Sequence, residues 1–199
     1  SPITVTDPTS GLTACSRSPF VVTFSAQRGL DMMSFASKRS FEAGGSLSGT
    51  AIGDLDGDGK LDLVTTIFAD STVSVFRNTS SHDVIGSISF DSTVGFRTGY
   101  FPNDVAIGDI DGDGKPDLVV VNQGAMTVSV LRNESTAGPI TSSSFASGVD
   151  FTTGPNPWSV AIADLDGDGK PELIVANQSN NAVSVLKNAS AIGPITPGS

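Results

Sequence analysis

An internal repeat constrains the fold more than any other feature of this chain. An acidic stretch begins at Asp54 and returns at Asp109 and Asp164, at the same interval both times, and no gap is needed to align the three copies. A repeat of this length predicts one supersecondary unit used three times, with each unit burying its apolar faces against its neighbours. The predicted repeats occupy residues 35–89, 90–144 and 145–199.

The pattern inside each repeat indicates β-strands throughout. Val105–Gly108 is a short strand that enters the acidic stretch, and Asp117–Asn122 is an apolar run typical of a strand buried on both faces. Thr127–Arg132 alternates with period two, and Phe90–Phe96 supplies a fourth, outer strand. We therefore predict an all-β fold of three four-stranded antiparallel units of the β-propeller blade type. A β-solenoid or a sandwich is the alternative, although the repeat is long for one solenoid coil.

The acidic stretch has the pattern Asp-x-Asp-x-Asp-Gly-x-x-Asp/Glu in every repeat. Asp54, Asp56 and Asp58 alternate along the chain so that their carboxylates converge, and Gly57 and Gly59 permit a sharp turn. Ca²⁺ takes about six to eight oxygen ligands in flexible geometry, which suits such a loop. The pattern predicts one Ca²⁺ in each loop, between the first and second strands of the unit, and three sites in all.

The predicted ligands are the four acidic side chains of each loop and the backbone carbonyl of the lysine at the seventh position. They are Asp54, Asp56, Asp58, Lys60 and Asp62; Asp109, Asp111, Asp113, Lys115 and Asp117; and Asp164, Asp166, Asp168, Lys170 and Glu172. The apolar residue between the first two acids is expected to point into the core. Because Glu172 is longer than aspartate, we expect the third site to differ in affinity from the other two.

The ligand types narrow the choice of metal. The loops contain no soft ligand, which argues against zinc and copper. Mg²⁺ is the weaker alternative because it resists a cage made only of protein oxygens. An EF-hand needs a glutamate at position twelve, whereas that position is Thr65, Val120 or Val175, each inside a predicted strand.

The run from Val105 to Asn122 resembles the FG-GAP/VCBS repeat family, which is related to the blades of integrin α-subunit propellers. The resemblance covers residues 35–199, and it implies a propeller, usually of seven blades, with Ca²⁺ bound by the ligand set named above. Residues 1–30 do not fit the repeat. They contain two or three short apolar runs, among them Pro19–Phe24, and are similar to the closing strands of an IPT/TIG immunoglobulin-like domain.

The net charge of −10 argues against binding to nucleic acid or to an anionic membrane surface. Twelve of the 21 acidic residues lie in the three loops, so three Ca²⁺ ions would bring the charge to −4. No apolar run approaches the length of a membrane span. Cys15 is the single cysteine, so no disulfide forms within the chain. Free Ca²⁺ is plentiful only outside the cytosol, which predicts a secreted or cell-surface protein, either processed or part of a longer chain.

We find no catalytic set in the sequence and predict that the protein is not an enzyme. His82 is the one histidine, and it has no counterpart in the other repeats. The predicted function is an extracellular scaffold or adhesion module that pairs with itself, as an oligomer or filament, or with further blades of a longer chain. The alternative is a lectin-like propeller or an accessory module of a secreted carbohydrate-active enzyme, in which Trp158 and Tyr100 face a glycan.

Three Asn-x-Ser sequons recur in the same register, at Asn78, Asn133 and Asn188, and Asn177 begins a fourth. Asparagine followed by serine also makes a good turn at the end of a strand. We favour this turn interpretation over glycosylation.

Overall fold

The computed structural model describes residues 3–6, 13–16, 34–81, 85–86 and 89–190. It divides into two compact units, Ser1–Lys38 and Arg39–Ser199. The first unit contains an antiparallel pair of strands, β1 (Ile3–Thr6) and β2 (Thr13–Ser16). The predicted strand at Pro19–Phe24 and the lone His82 lie outside the described residues.

The second unit is built from three antiparallel sheets that follow one another along the chain. The first sheet contains β3 (Leu47–Gly53), β4 (Asp62–Ile67), β5 (Thr72–Phe76) and β6 (Val94–Arg97). The second contains β7 (Pro102–Gly108), β8 (Asp117–Asn122), β9 (Thr127–Leu131) and β10 (Val149–Thr152). The third contains β11 (Pro157–Ala163), β12 (Glu172–Asn177) and β13 (Ala182–Leu186). Within the described residues the only helical segment is a 3-10 turn, Gln178–Asn180, and no helix is long and apolar enough to cross a bilayer.

The outer strand of each four-stranded sheet comes from the following sequence repeat. β6 pairs with β5, which places Phe96 opposite Val73, and β10 pairs with β9 in the same register. The Phe90–Phe96 segment therefore leads into an outer strand, as predicted, but this strand closes the sheet of the preceding repeat. Four-stranded antiparallel sheets are found twice, as predicted. The predicted repeat at 145–199 also contains four strands, β10 to β13, but β10 joins the second sheet, so the third sheet has three strands in the described part of the chain.

The core lies between consecutive sheets, and β8 contributes to both of its halves. All six residues of β8 are buried, which confirms the prediction of a strand covered on both faces. Leu118 and Val120 belong to the cluster shared with the first sheet, whereas Val119 and Val121 belong to the cluster shared with the third. Because successive side chains of a strand point to opposite faces, a continuous apolar run is the pattern that a sandwiched sheet requires.

The first strands of the three sheets pack side by side. A Cβ on Gly49 of β3 would lie 2.7 Å from the Cα of Asp104 on β7, so only glycine allows this approach. Asp104 in turn accepts hydrogen bonds from the Ser159 hydroxyl (2.7 Å) and the Val160 N–H (3.1 Å) of β11. These contacts fix the spacing of the sheets at the end of the strands remote from the acidic loops.

One face of the third sheet is left uncovered by the residues that the structure describes. Val183 and Val185 on β13 are 64% and 55% exposed, whereas the corresponding valines of β5 and β9 are buried. Leu165, in the third acidic loop, is 58% exposed, although Leu55 and Ile110 at the same position are buried. The expectation that this residue points into the core is therefore correct for the first two loops and wrong for the third, which no following sheet covers in the described part of the chain.

Asparagine side chains link the second and third sheets to the loop of the sheet before them. Asn133 is fully buried, and its Nδ2 donates to the Leu55 carbonyl of the preceding loop and to the Pro116 carbonyl of its own loop, both at 2.9 Å. Asn188 makes the same pair of bonds one repeat later. Asn133 and Asn188 are the first residues of two of the sequons. Because their side-chain nitrogens donate hydrogen bonds inside the fold, the structure supports the turn interpretation.

Replacing Asn133 by alanine is expected to lower the free energy of unfolding by about 1–3 kcal/mol, because the buried hydrogen bond to the Leu55 carbonyl of the preceding loop is lost together with the local bond to Pro116. Asn78 is the matched control, since it makes the same local turn but donates only to the Leu61 carbonyl of its own loop. Its replacement should cost less than about 1 kcal/mol. Urea unfolding measures both values, and equal losses would contradict the assigned link between sheets.

Candidate metal centres

Each acidic loop joins the first strand of a sheet to the second, as predicted. The first loop begins after β3 ends at Gly53, and its last acid, Asp62, is the first residue of β4. Gly57 and Gly59 have φ angles of 75° and 84°, in the left-handed region that glycine adopts freely. The glycines of the other two loops repeat these angles within a few degrees. The three loops therefore share one backbone conformation, and it depends on the two glycines.

Backbone N–H groups hold the carboxylates of the first loop in place. The two oxygens of Asp54 accept hydrogen bonds from Gly57 and Gly59, both at 2.9 Å. Asp56 accepts from the Asp58 N–H at 3.1 Å, and Asp58 accepts from the Lys60 N–H at 2.9 Å. The loop thus wraps around its own acids, and each carboxylate retains lone pairs for a further partner.

The last acid of each loop is buried and fastens the loop to the sheet. Asp62 accepts hydrogen bonds from the Leu55 N–H (2.9 Å) and the Asn78 N–H (2.8 Å), and Asp117 makes the corresponding pair. Glu172 makes the same two contacts at 2.9 and 3.3 Å. The longer side chain therefore reproduces the aspartate arrangement with one weaker bond.

The structure brings three acids of each loop together, with one oxygen from each residue within 4.8 Å of the others. The groups are Asp54, Asp56 and Asp58; Asp109, Asp111 and Asp117; and Asp164, Asp166 and Glu172. The fourth predicted acid of each loop, which is Asp62, Asp113 or Asp168, lies outside its group. The backbone N–H of each predicted lysine ligand donates to the preceding aspartate, and the role of the lysine carbonyls stays a prediction.

Burial and like charge make ionisation of three acids in the first two loops less favourable. Desolvation raises the pKa of Asp117 to about 6, against the opposing effect of its two backbone hydrogen bonds. Burial likewise raises the pKa values of Asp62 and Asp111, and the neighbouring aspartates add to the shift. A site in which carboxylates are buried close to one another favours a bound cation.

One carboxylate oxygen of the second loop indicates whether this loop is suited to bind a cation. Oδ2 of Asp111 is buried and accepts no hydrogen bond from any residue that the structure describes. Leaving a carboxylate oxygen buried and unpaired is costly, and a coordinated metal ion would satisfy it. The side-chain atoms that could ligate a metal are all carboxylate oxygens, which suit a hard divalent cation such as Ca²⁺ or Mg²⁺. The residues present therefore fit a metal ion of this class.

Comparison with known families gives two overlapping matches to the FG-GAP-like repeat, at residues 54–120 and 109–175. Each match begins at the first acid of a loop and ends in the strand that follows the next loop, and together they cover more than half of the chain. The chain belongs to the FG-GAP-like repeat family. No curated protein matches it. The matches do not reach residues 1–30, and the resemblance of that segment to an IPT/TIG domain is not supported.

A basic residue that the sequence patterns did not single out bonds to the acids of the first and the third FG-GAP loop. Arg77, at the end of β5, bonds to Asp56 and approaches Asp58 at 3.0 Å. Lys187, after β13, bonds to Asp166, which lowers the pKa of that acid. The signal was visible in the sequence, because Arg77, Arg132 and Lys187 recur at the interval of the repeat itself.

The metal-free protein is expected to be more stable at about pH 5 than at about pH 7.5. The pKa of Asp117 is raised in the folded state, so its contribution is present below about pH 4 and is lost as the pH rises through about 6. Saturating Ca²⁺ should narrow or reverse this difference, because metal binds the deprotonated acid. Thermal melts of chelator-treated protein check the expectation, and an unchanged pH effect in Asp117→Asn would contradict it.

Proposed function

We propose that this FG-GAP-like chain is a calcium-binding, non-catalytic module that acts as a scaffold or adhesion surface outside the cell. The observation that carries the proposal is the buried, unpaired Oδ2 of Asp111 within a loop of converging carboxylates. The same loop conformation occurs three times, which supports a repeated binding function over a chance cluster of acids.

Calcium is the preferred metal on chemical grounds. The loops offer carboxylates and backbone carbonyls in a glycine-rich turn, and Ca²⁺ accepts such flexible, oxygen-rich shells, whereas Mg²⁺ retains several of its waters. Three bound Ca²⁺ ions would reduce the formal charge from −10 to −4. Because the loops connect strands of the core, metal binding would stabilise the fold and the surface that it presents. Free Ca²⁺ is plentiful only outside the cytosol, which supports a location of the protein outside the cytosol.

We propose further that the sheets are blades of a propeller-type assembly. Three features support this: the first strands lie side by side, each sheet is antiparallel in chain order, and each core half lies between consecutive sheets. A closed ring needs at least about four such blades. Further blades would come from a longer chain or from a second copy of this one.

The open face of the third sheet supports association. Val183, Val185 and Leu165 form an apolar surface equivalent to surfaces that are buried between the other sheets. The first sheet differs from the second on the corresponding side, since an exposed Thr50 and a buried Thr65 stand where the second sheet has Val105 and Val120. This side is therefore related but not equal to its counterpart on the second sheet, which favours an ordered, end-to-end contact.

Calcium is expected to raise the stability of the protein, and removal of a ligand should weaken this effect. At a Ca²⁺ concentration of about 100 Kd, the gain is about 2.7 kcal/mol for each site. Asp111→Ala should lose most of the gain from the second loop, whereas Lys115→Ala should retain it because its side chain is not a ligand. Thermal melts in Ca²⁺ and in chelator measure the gain. Identical melting in both conditions would disprove calcium binding.

The isolated 199-residue chain is expected to associate in solution through the open face of the third sheet. Val185→Lys should shift the mass towards that of the monomer, because it places a charge at the centre of this face. Ile85→Lys is the control, since Ile85 is 66% exposed and lies outside the strands. Light scattering measures the mass. A wild-type monomer of 20.3 kDa that melts cooperatively would refute association.

Glycan binding is the second candidate function. Trp158 and Tyr100 are 47% and 71% exposed, although single aromatic residues more often pack into a core. Exposed aromatic rings offer stacking surfaces for sugars. Binding to a glycan array that persists in chelator and disappears in Trp158→Ala would favour this function over the calcium scaffold.

A further inference from the structure

The basic residue beside each loop is paired differently in the three repeats. In the first loop Arg77 bonds to Oδ2 of Asp56 and lies 3.0 Å from Asp58. In the third loop Lys187 bonds to Oδ2 of Asp166 and lies 3.6 Å from Asp168. In the first and third loops, a basic side chain therefore pairs with acids that the proposed function assigns to the metal.

The second loop is the exception. Arg132 has the same place in the repeat, but its guanidinium pairs with Glu134 and acts on Asp111 only through its charge, without a hydrogen bond. Oδ2 of Asp111, the counterpart of the oxygens that Arg77 and Lys187 occupy, is left buried and without a partner among the described residues. The unpaired oxygen of Asp111 and the pairing of Arg132 with Glu134 belong together, because the arginine that could bond to Asp111 bonds to Glu134 instead. The second loop can therefore accept an external cation.

The sequence explains why only the second repeat behaves in this way. Glu134 corresponds to Thr79 in the first repeat and to Ala189 in the third, neither of which carries a charge. The backbone is the same at this position, because the N–H of Glu134 bonds to Ser144 as that of Thr79 bonds to Ser89. The difference between the repeats therefore lies in the side chain alone.

We propose that Arg77 and Lys187 are tethered cations that compete with the metal for the first and third loops, and that Glu134 withdraws Arg132 from the second. The inference rests on the proposed calcium binding and concerns the order in which the loops fill. The second loop binds first and most tightly, because no ion pair has to be broken there. Glu134 acts through Arg132 and is a positioning residue for the site.

Exchanging the residues that differ tests the proposal. Thr79→Glu gives the first repeat the acid of the second, and Glu134→Thr makes the reverse change. Both positions are on the surface or partly exposed, and each new side chain already occurs at the matching place in this chain. Arg77→Gln removes the competing cation directly, so it provides a second test of the first loop.

Hydrogen–deuterium exchange of the full chain, measured by mass spectrometry on peptides from each loop during a Ca²⁺ titration, gives a midpoint for every site. In the wild type, the peptide covering residues 109–117 should be protected at the lowest Ca²⁺ concentration. Thr79→Glu and Arg77→Gln should lower the midpoint of the first loop by up to about fivefold, the range of a partly exposed ion pair. Glu134→Thr should raise the midpoint of the second loop by a similar factor.

The double variant separates competition from simple charge. If Glu134 acts by holding Arg132, then Glu134→Thr has no further effect in an Arg132→Gln background. An equal shift in that background would show that Glu134 attracts Ca²⁺ by its own charge, and it would overturn the proposal. Midpoints that respond to Ca²⁺ but ignore the exchanges would also overturn it while leaving calcium binding intact. Loops that show no Ca²⁺ protection at all would instead refute the proposed function.

Discussion

The burial of each sheet by the next is the constraint on which the rest of this structure depends. The side chains of β8 alternate between two apolar clusters, and each cluster requires a partner sheet on its own side. The acidic loops share this dependence. Asn133 reaches from one sheet to the loop of the sheet before it, so the loop at residues 54–62 is held partly by a residue 78 positions after Leu55. The packing between repeats and the geometry of the candidate metal sites therefore depend on the same contacts.

This coupling explains how a chain with few large apolar residues can support a highly charged loop in every repeat. The last acid of the loop is buried and accepts N–H groups from both the loop and the strand that follows, as Asp62 does from Leu55 and Asn78. Those bonds fix the carboxylates before any cation arrives, so little ordering entropy is lost on binding. The cost appears as raised pKa values of the buried acids, and a divalent cation would offset that cost.

The repeat length, the position of the loops and the doubly buried strand could be predicted from the sequence, because periodicity and glycine placement express local backbone requirements. The origin of the outer strand could not. The Val94–Arg97 segment has the same pattern whichever sheet it joins, and only the three-dimensional packing assigns it to the sheet of β5. The pairing of Arg77 with the first loop was also missed, although its recurrence as Arg132 and Lys187 was visible. Arginine near acids is common on surfaces, and its partner depends on side chains such as Glu134 that break the repeat.

The third loop shows how much a site depends on its neighbour. Its sequence departs from the others at Glu172, and the longer side chain was expected to distinguish the site. Yet Glu172 accepts the same two N–H groups as Asp62 and Asp117, so the substitution changes the loop little. The larger difference is in the second acid of the loop, since Asp56 and Asp111 are both 3% exposed, whereas Asp166 is exposed in a loop that no sheet covers among residues 34–190 as described. Solvent screens charge at such a site and weakens its hold on a cation. A further sheet placed over Val183 and Val185 would bury the third loop as the first two are buried, so association at this face and the strength of the third site should rise together.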